Sequence, residues 1–431
     1  MKRKLLFLER VLYGNGTEPF HGVFSLKING DINPDYLTGA LERLQEKYPI
    51  LKTCIQEDEK GDPYFITPEN PLPIPVRIAQ RNGDSDWIRE TKRELATPFD
   101  VRQGPLLRLA WIRSEGISDL ILAFHHCMCD GGSGLAMLGD ILALLDNPDQ
   151  SIGTSPAFDS VAELIPKEIL SNKKKIFKAR LSAALVHAGL KTASIFISKK
   201  TKPGPRQRDY LINWKLNAEE SSLLFKICKE QNVTVNTALG LAFLNAFQAV
   251  RGDQAHGKAT CPVDIRRYMP EIKRDTIFAF GLALNISLNK KAGADFWEDA
   301  RNMQTKVSRQ MARLNPYEFI MIMEASHSCI HLLRKFLTYG KVGNDFMFSN
   351  MGRLDIPSNY RAFNVDTIYS PTVVGPFANP NTIITTTFNG QMDFSFVSNE
   401  DFMPEKAALQ IKDKAMELLL TLLPSLNPVS I

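Results

Sequence analysis

The sequence predicts a two-domain α/β protein. Apolar segments of period two alternate with segments of period 3.6 in both halves of the chain. At 431 residues the chain exceeds what one ordinary core organises. A stretch rich in Lys, Ser and Pro separates the two patterned halves. The expected layout is a first domain over 1–160, a basic connection over 161–208 and a second domain over 209–431, with a groove between the domains. An apolar fraction of 44% and a charged fraction of 23% exclude a disordered or fibrous chain.

GVFSLKING (Gly22–Gly30) reads as a strand. A helix follows in NPDYLTGALERLQEKYP, with Asn33 as cap and Pro34 in its first turn. Leu37, Ala40, Leu41, Leu44 and Tyr48 form its apolar stripe, and Pro49 ends it. ILKTCI reads as a strand and DWIRETKRELATPFD as a helix running into a loop. PLLRLAWIR (Pro105–Arg113) and SDLILAFHH (Ser118–His126) read as a hairpin turning near Gly116. The next helix starts near Ser133, buries Leu138, Ile141, Leu142 and Leu145, and stops at Asn147 and Pro148.

The connection contains a helix near Ile176–Leu190 and closes with KPGPRQR (Lys202–Arg208). The second half opens with the strand YLINWKL and the helix AEESSLLFKICKEQ. A mostly apolar helix, VTVNTALGLAFLNAFQAV, follows with Asn236 as its cap. Strands are expected at CPVDIRR, FGLALNISL, NDFMFSNMG, NTIITTTFNG and QMDFSFVSN, and a last helix at EKAALQIKDKAMELLLTLL.

The composition limits where the chain works. No run of 18 apolar residues is present, so no transmembrane helix is expected. Glu9 and Arg10 interrupt the short apolar start, so neither is a signal peptide. Six scattered cysteines match reduced, buried thiols and a cytoplasmic setting. The net charge is +5, yet Lys173–Arg208 holds eleven Lys and Arg and no acid, so the remainder nets 5 − 11 = −6. Such a segment is either a solvated linker or a contact for phosphates, an acidic protein or an anionic membrane. No nucleic-acid partner is expected.

The chemistry concentrates in LILAFHHCMCDGGSG (Leu120–Gly134). A strand buried on both faces runs into two histidines, then a loop with Asp130, Gly131 and Gly132. Strand alternation places His126 with Leu122 and Phe124, and His125 with Ala123 on the opposite face. An imidazole held at a strand exit can take a proton and return it. Asp130 is placed to orient the ring or to shape the loop, and the glycines allow the turn. Two satisfied core histidines, or a ligand site without chemistry, remain open on these residues alone. A metal centre does not fit, because the two rings diverge and no distant ligand cluster matches.

HHCMCDG resembles the HHxxxDG signature of the CoA-dependent acyltransferase superfamily, which includes chloramphenicol acetyltransferase and nonribosomal peptide condensation domains. Further segments resemble it in order: EKYPILKT (Glu46–Thr53), TPFDVRQGPLLRLAW (Thr97–Trp111), VTVNTALGLAF, PVDIRRYMP (Pro262–Pro270) and FSNMGRLDIP (Phe348–Pro357). The DFGWG motif of the plant branch is absent, and Asn236-Thr237 stands where wax ester synthases carry Asn-Asp. The condensation-like or alcohol-acyltransferase branch is therefore favoured.

The resemblance implies two chloramphenicol-acetyltransferase-like α/β sandwich domains with an interdomain tunnel. It implies acyl transfer from a CoA or carrier-protein thioester to an alcohol or amine, with His126 as general base. Asp130 is expected to hold the loop by pairing with Arg266, with His125 and Gly131 as structural support. Ser349 and Asn350 are expected along the tunnel, facing the oxyanion. No metal and no bound cofactor are implied; the thioester is a co-substrate. The other class of function is a non-catalytic relative that binds a carrier protein or lipid. Peripheral membrane contact through Lys173–Arg208 is a further expectation.

Overall fold

A computed structural model describes residues 1–431 except 15, 17–19, 156, 195–205, 271, 274, 280, 290–294, 338–342, 376–378 and 424–431. The first half builds a mixed sheet in the order Phe363–Ile368, His21–Gly30, Ile117–His125, Leu107–Ser114, Val76–Gln80. Its central strand, Ile117–His125, is buried from Ser118 onward. This is what its continuous apolar run requires: both faces are covered. The hairpin between Leu107–Ser114 and Ile117–His125 turns at Gly116, whose φ of +66° suits glycine.

Two strands of this sheet come from the other half of the chain. Phe363–Ile368 and then Thr372–Val374 run antiparallel along His21–Gly30. The carboxylate of Asp393 accepts from the Ser370 backbone N–H, and Tyr369 stacks on Trp87 at 3.7 Å. Residues 363–374 thus leave the expected 209–431 unit and finish the sheet of the first half.

The second sheet runs Leu282–Ser287, Lys258–Val263, Phe346–Arg353, Thr382–Phe388, Gln391–Asn399, Asp209–Leu216. Helices Val235–Arg251 and Glu405–Thr421 pack together over it. Phe243, Phe247, Phe346, Phe348, Phe394 and Phe396 fill the space between, with Phe247 stacked on Phe346 at 4.8 Å. Rings of this size supply much of the apolar burial in such a core.

Local chemistry sets the ends of the elements. Asn33 caps Pro34–Lys47 by accepting the Asp35 N–H. Thr234, not Asn236, caps Val235–Arg251, its hydroxyl accepting the Thr237 N–H. ILKTCI is not one strand: a 3₁₀ turn, Pro49–Lys52, precedes the short strand Cys54–Glu57. The helix expected near Ile176–Leu190 spans Lys173–Ala193. Most of KPGPRQR lies outside the described residues. All six cysteines are free and buried. No single helix among the described residues is long and apolar enough to cross a membrane.

Candidate active site

The central strand stops at His125, one residue earlier than expected, and His126 opens the turn. Backbone pairing still clamps both residues. The His125 N–H donates to the Leu106 carbonyl at 2.9 Å, and the His126 N–H to the Phe20 carbonyl at 2.8 Å. The rings diverge, as strand alternation requires. His126 lies edge-on to Phe20 at 5.2 Å and near Phe124 at 6.3 Å. His125 lies against His21 at 5.8 Å and Phe99 at 6.3 Å.

The tautomer of His126 follows from one contact. Its Nδ1 lies 2.8 Å from the Cys129 carbonyl oxygen. A carbonyl only accepts, so Nδ1 carries the proton and Nε2 keeps its lone pair. Nε2 makes no hydrogen bond among the described residues, and the residue is half-buried. Burial holds the ring below the usual histidine range, although the Cys129 carbonyl and the Asp130 carboxylate work against this. At neutral pH the ring is therefore a free base. The turn, through Cys129, orients it rather than Asp130 directly.

His125 has the opposite tautomer. Its Nδ1 accepts the Cys127 N–H at 3.3 Å, which leaves the proton on Nε2. Burial, and then its charged-state repulsion with His126, pulls it down to about 3. It stays neutral and packs.

Asp130 caps the helix Gly131–Asp146, which begins two residues before the expected start at Ser133. One carboxylate oxygen accepts the Ser133 N–H at 2.9 Å; the other accepts from Arg266 Nη1 at 2.7 Å. Arg266 also donates to Asp264, to Ser133 Oγ at 2.9 Å and to the Thr276 carbonyl at 3.0 Å, and it lies over the Phe278 ring. Asp130 and Asp264 outweigh burial and hold Arg266 charged, above its ordinary range. The guanidinium fork ties the histidine loop to the second half of the chain.

The glycines serve close approach. Neither Gly131 nor Gly132 has positive φ, so the turn itself does not demand them. A Cβ on Gly131 would meet Met351 Cε at 3.3 Å; one on Gly132 would meet Arg266 Nη1 at 3.4 Å. Met351 reaches Gly131 because Phe346–Arg353 carries a bulge between Asn350 and Gly352. Asn350 Oδ1 accepts the Gly352 N–H at 2.8 Å, and Gly352 sits at φ +73°. Asn350 thus shapes the bulge. Ser349 precedes it, half-buried on the same strand.

The family model of the Condensation domain matches residues 3–322. The chain belongs to the condensation domain family. This family lies within the acyltransferase superfamily that the motifs resemble. Nonribosomal peptide synthetase kk1B of Curvularia clavata is 25% identical over 131 residues, 30% of this chain and 1% of that protein. Phthiocerol/phthiodiolone dimycocerosyl transferase of Mycobacterium bovis is 22% identical over 225 residues, 51% of this chain and 52% of that protein. The chain therefore spans only a part of these relatives. The trichothecene 15-O-acetyltransferase TRI3 of Fusarium sporotrichioides has the same fold, with a TM-score of 0.73, 14% identity, and coverage of 98% of this chain and 95% of that one.

Sequence reasoning missed several residues of this condensation-family site. Phe20 supplies both a ring against His126 and the carbonyl that holds its backbone. Met351, Ser133 and Thr276 complete the contacts around Gly131 and Arg266. Only Ser133, at the third position of a capped helix, had a local signal. A shallow cleft lies where the halves meet, lined by Tyr48, Ser155, Phe158, Thr276 and Ile277 among others; His126 does not line it. Among the described residues no group of three or more His, Cys, Asp or Glu could hold a metal ion.

Proposed function

We propose that this condensation-family chain transfers an acyl group from a thioester to a hydroxyl or amine, with His126 as general base. The observation that carries this reading is the Nδ1 contact to the Cys129 carbonyl, which leaves Nε2 unprotonated on a half-buried ring. In this reading Nε2 faces a passage between the two halves. It takes the proton of the acceptor as its oxygen or nitrogen bonds to the thioester carbonyl carbon. The carbon–sulfur bond then breaks, and the leaving thiolate takes the proton back from His126. Base assistance of this kind is worth roughly 10²–10⁴ in rate.

Asp130 and Arg266 are positioning residues: they fix the loop whose Cys129 carbonyl sets the tautomer. Ser349 lies on the strand whose bulge touches Gly131, which supports a place beside the developing oxyanion. The donor is an acyl-CoA or an acyl carrier protein; relatives that are peptide synthetases favour the carrier. The protein needs no resident cofactor in this reading.

Release of thiol tests it. With acyl-CoA or acyl-phosphopantetheine donors and a panel of alcohols and amines, acceptor-dependent thiol release is expected. It should fall at least about a hundredfold in His126→Ala. Undiminished release in that variant would remove the base assignment.

A further inference from the structure

The helix Lys173–Ala193 has two unlike faces. Ala179 and Ala183 are buried, and Ile176, His187 and Leu190 are half-buried, on the side that packs on Pro316–Ala325 and Ile330–Phe336. His187 Nδ1 lies 3.3 Å from Ser328 Oγ on that side. The outer face carries Phe177, Leu181, Ala184, Leu185 and Ala188, at spacings that align on one stripe of a helix. Phe177 is 68% exposed, Leu185 65% and Leu181 49%. Large apolar side chains this exposed, in a row, are a recognition surface rather than chance exposure.

Cations border the stripe on both sides. At helical spacing Lys173, Arg180 and Lys191 fall along one edge and Lys174 and Lys178 along the other, all exposed. The helix contains no Asp or Glu. Among the described residues only Lys178 of these five has a carboxylate partner, Glu318.

We propose that this helix is a docking surface for an anionic lipid bilayer. Apolar side chains would enter the boundary between headgroups and acyl chains, while the lysine and arginine stems reach outward to lipid phosphates. Charge complementarity decides between occupants. A second copy of this face would bring like-charged edges together, which opposes pairing. A folded protein partner would need an apolar groove with an acidic rim of matching shape, whereas a bilayer presents acyl chains and phosphates at the right depths without a fixed shape. A fluid anionic surface satisfies both the stripe and its cations without directional contacts. The inference stands apart from the acyl-transfer reading and does not use His126.

Cosedimentation of the full chain with vesicles tests it, using phosphatidylcholine alone or mixed with phosphatidylglycerol. Binding is expected to the anionic vesicles, weakening as salt rises. It should fall at least about tenfold in Phe177→Ser/Leu181→Ser/Leu185→Ser, and similarly in Lys173→Glu/Lys174→Glu/Arg180→Glu. Both variants alter exposed residues, so an unchanged melting temperature is expected; each checks the other if one fails to fold. No binding to anionic vesicles would overturn the proposal. So would binding that the serine variant leaves intact, since a purely coulombic contact needs no apolar stripe. Capture of an acidic carrier protein without vesicle binding would overturn it too, as would a dimer that the serine variant dissolves.

Discussion

Asp130 and Arg266 are 136 residues apart in the chain and 2.7 Å apart in the fold. One carboxylate thereby does two things at once. It begins a helix in the first half, and it receives a buried guanidinium from the second. The turn that orients His126 ends on this same residue, so loop geometry and interdomain contact are one structure.

The two tasks of Asp130 separate by substitution. Asp130→Asn keeps an oxygen for the Ser133 N–H but loses the ion pair; Asp130→Ala loses both. Arg266 is 5% exposed and retains Asp264 as a partner, so the asparagine variant should cost about 2–3 kcal/mol, below what a fully stranded charge costs. The alanine variant should cost about 1 kcal/mol more, the usual worth of a cap. Denaturant midpoints measure both. Equal losses would mean that the cap contributes nothing.

Much of this was legible in the chain because it was local. The continuous apolar run Leu120–His125 and the stripe of Pro34–Lys47 depend on near neighbours; the helix forms as read and the strand ends one residue early. The pairing of Asp130 with Arg266 was legible only through the family resemblance, since no local pattern links them. What escaped depends on distant contact. Strand Phe363–Ile368 pairs with Gly30 through Leu26, and nothing near residue 363 shows which sheet it will join. Gly131 reads as a turn residue, yet its real neighbour is Met351, carried there by a bulge. The orientation of His126 by the Cys129 carbonyl was hidden because any residue supplies a carbonyl.

Protonation of His126 should limit activity only in acid. Burial lowers its pKa, so the acidic limb of kcat/KM should have its midpoint below the ordinary histidine value of about 6.5. Asp130 acts upward on that pKa, so Asp130→Asn should move the limb further toward acid. Ring titration by NMR gives the same quantity without turnover. A midpoint above about 6.5 would mean that the environment favours the charged ring, contrary to the contacts.

Two glycines at the start of the helix Gly131–Asp146 should respond differently to alanine. At Gly134 the added Cβ would lie 2.5 Å from the Phe24 ring and 3.1 Å from Phe124, both buried and packed. Overpacking there should cost roughly 1–3 kcal/mol. At Gly131 the obstacle is the far end of Met351, a flexible side chain, so Gly131→Ala should cost well under about 1 kcal/mol. Thermal unfolding of the two variants checks the order, and a reversed order would place the tight contact at Met351.

The crossing segment 363–374 depends on a carboxylate that burial makes reluctant to ionise. Asp393 is 3% exposed, accepts from the Ser370 N–H and from Asn213 Nδ2, and is pushed up to about 6, chiefly by desolvation. The unfolded chain titrates this group near 3.8. Its folded pKa is the higher one, so its contribution to stability is fully present below pH 3.8 and is lost as pH rises through about 6. Above pH 7 the buried charge should cost on the order of 3 kcal/mol relative to acid. Asp393→Asn cannot ionise, so it does not carry this dependence. The stability of that variant minus wild type should therefore rise with pH between about 4 and 7 and level off above, by about 2–3 kcal/mol. Denaturant midpoints of both proteins across this window measure the difference directly, with other titrating groups cancelling. A difference that stays flat would mean that the Ser370 and Asn213 hydrogen bonds fully offset the burial of the charge.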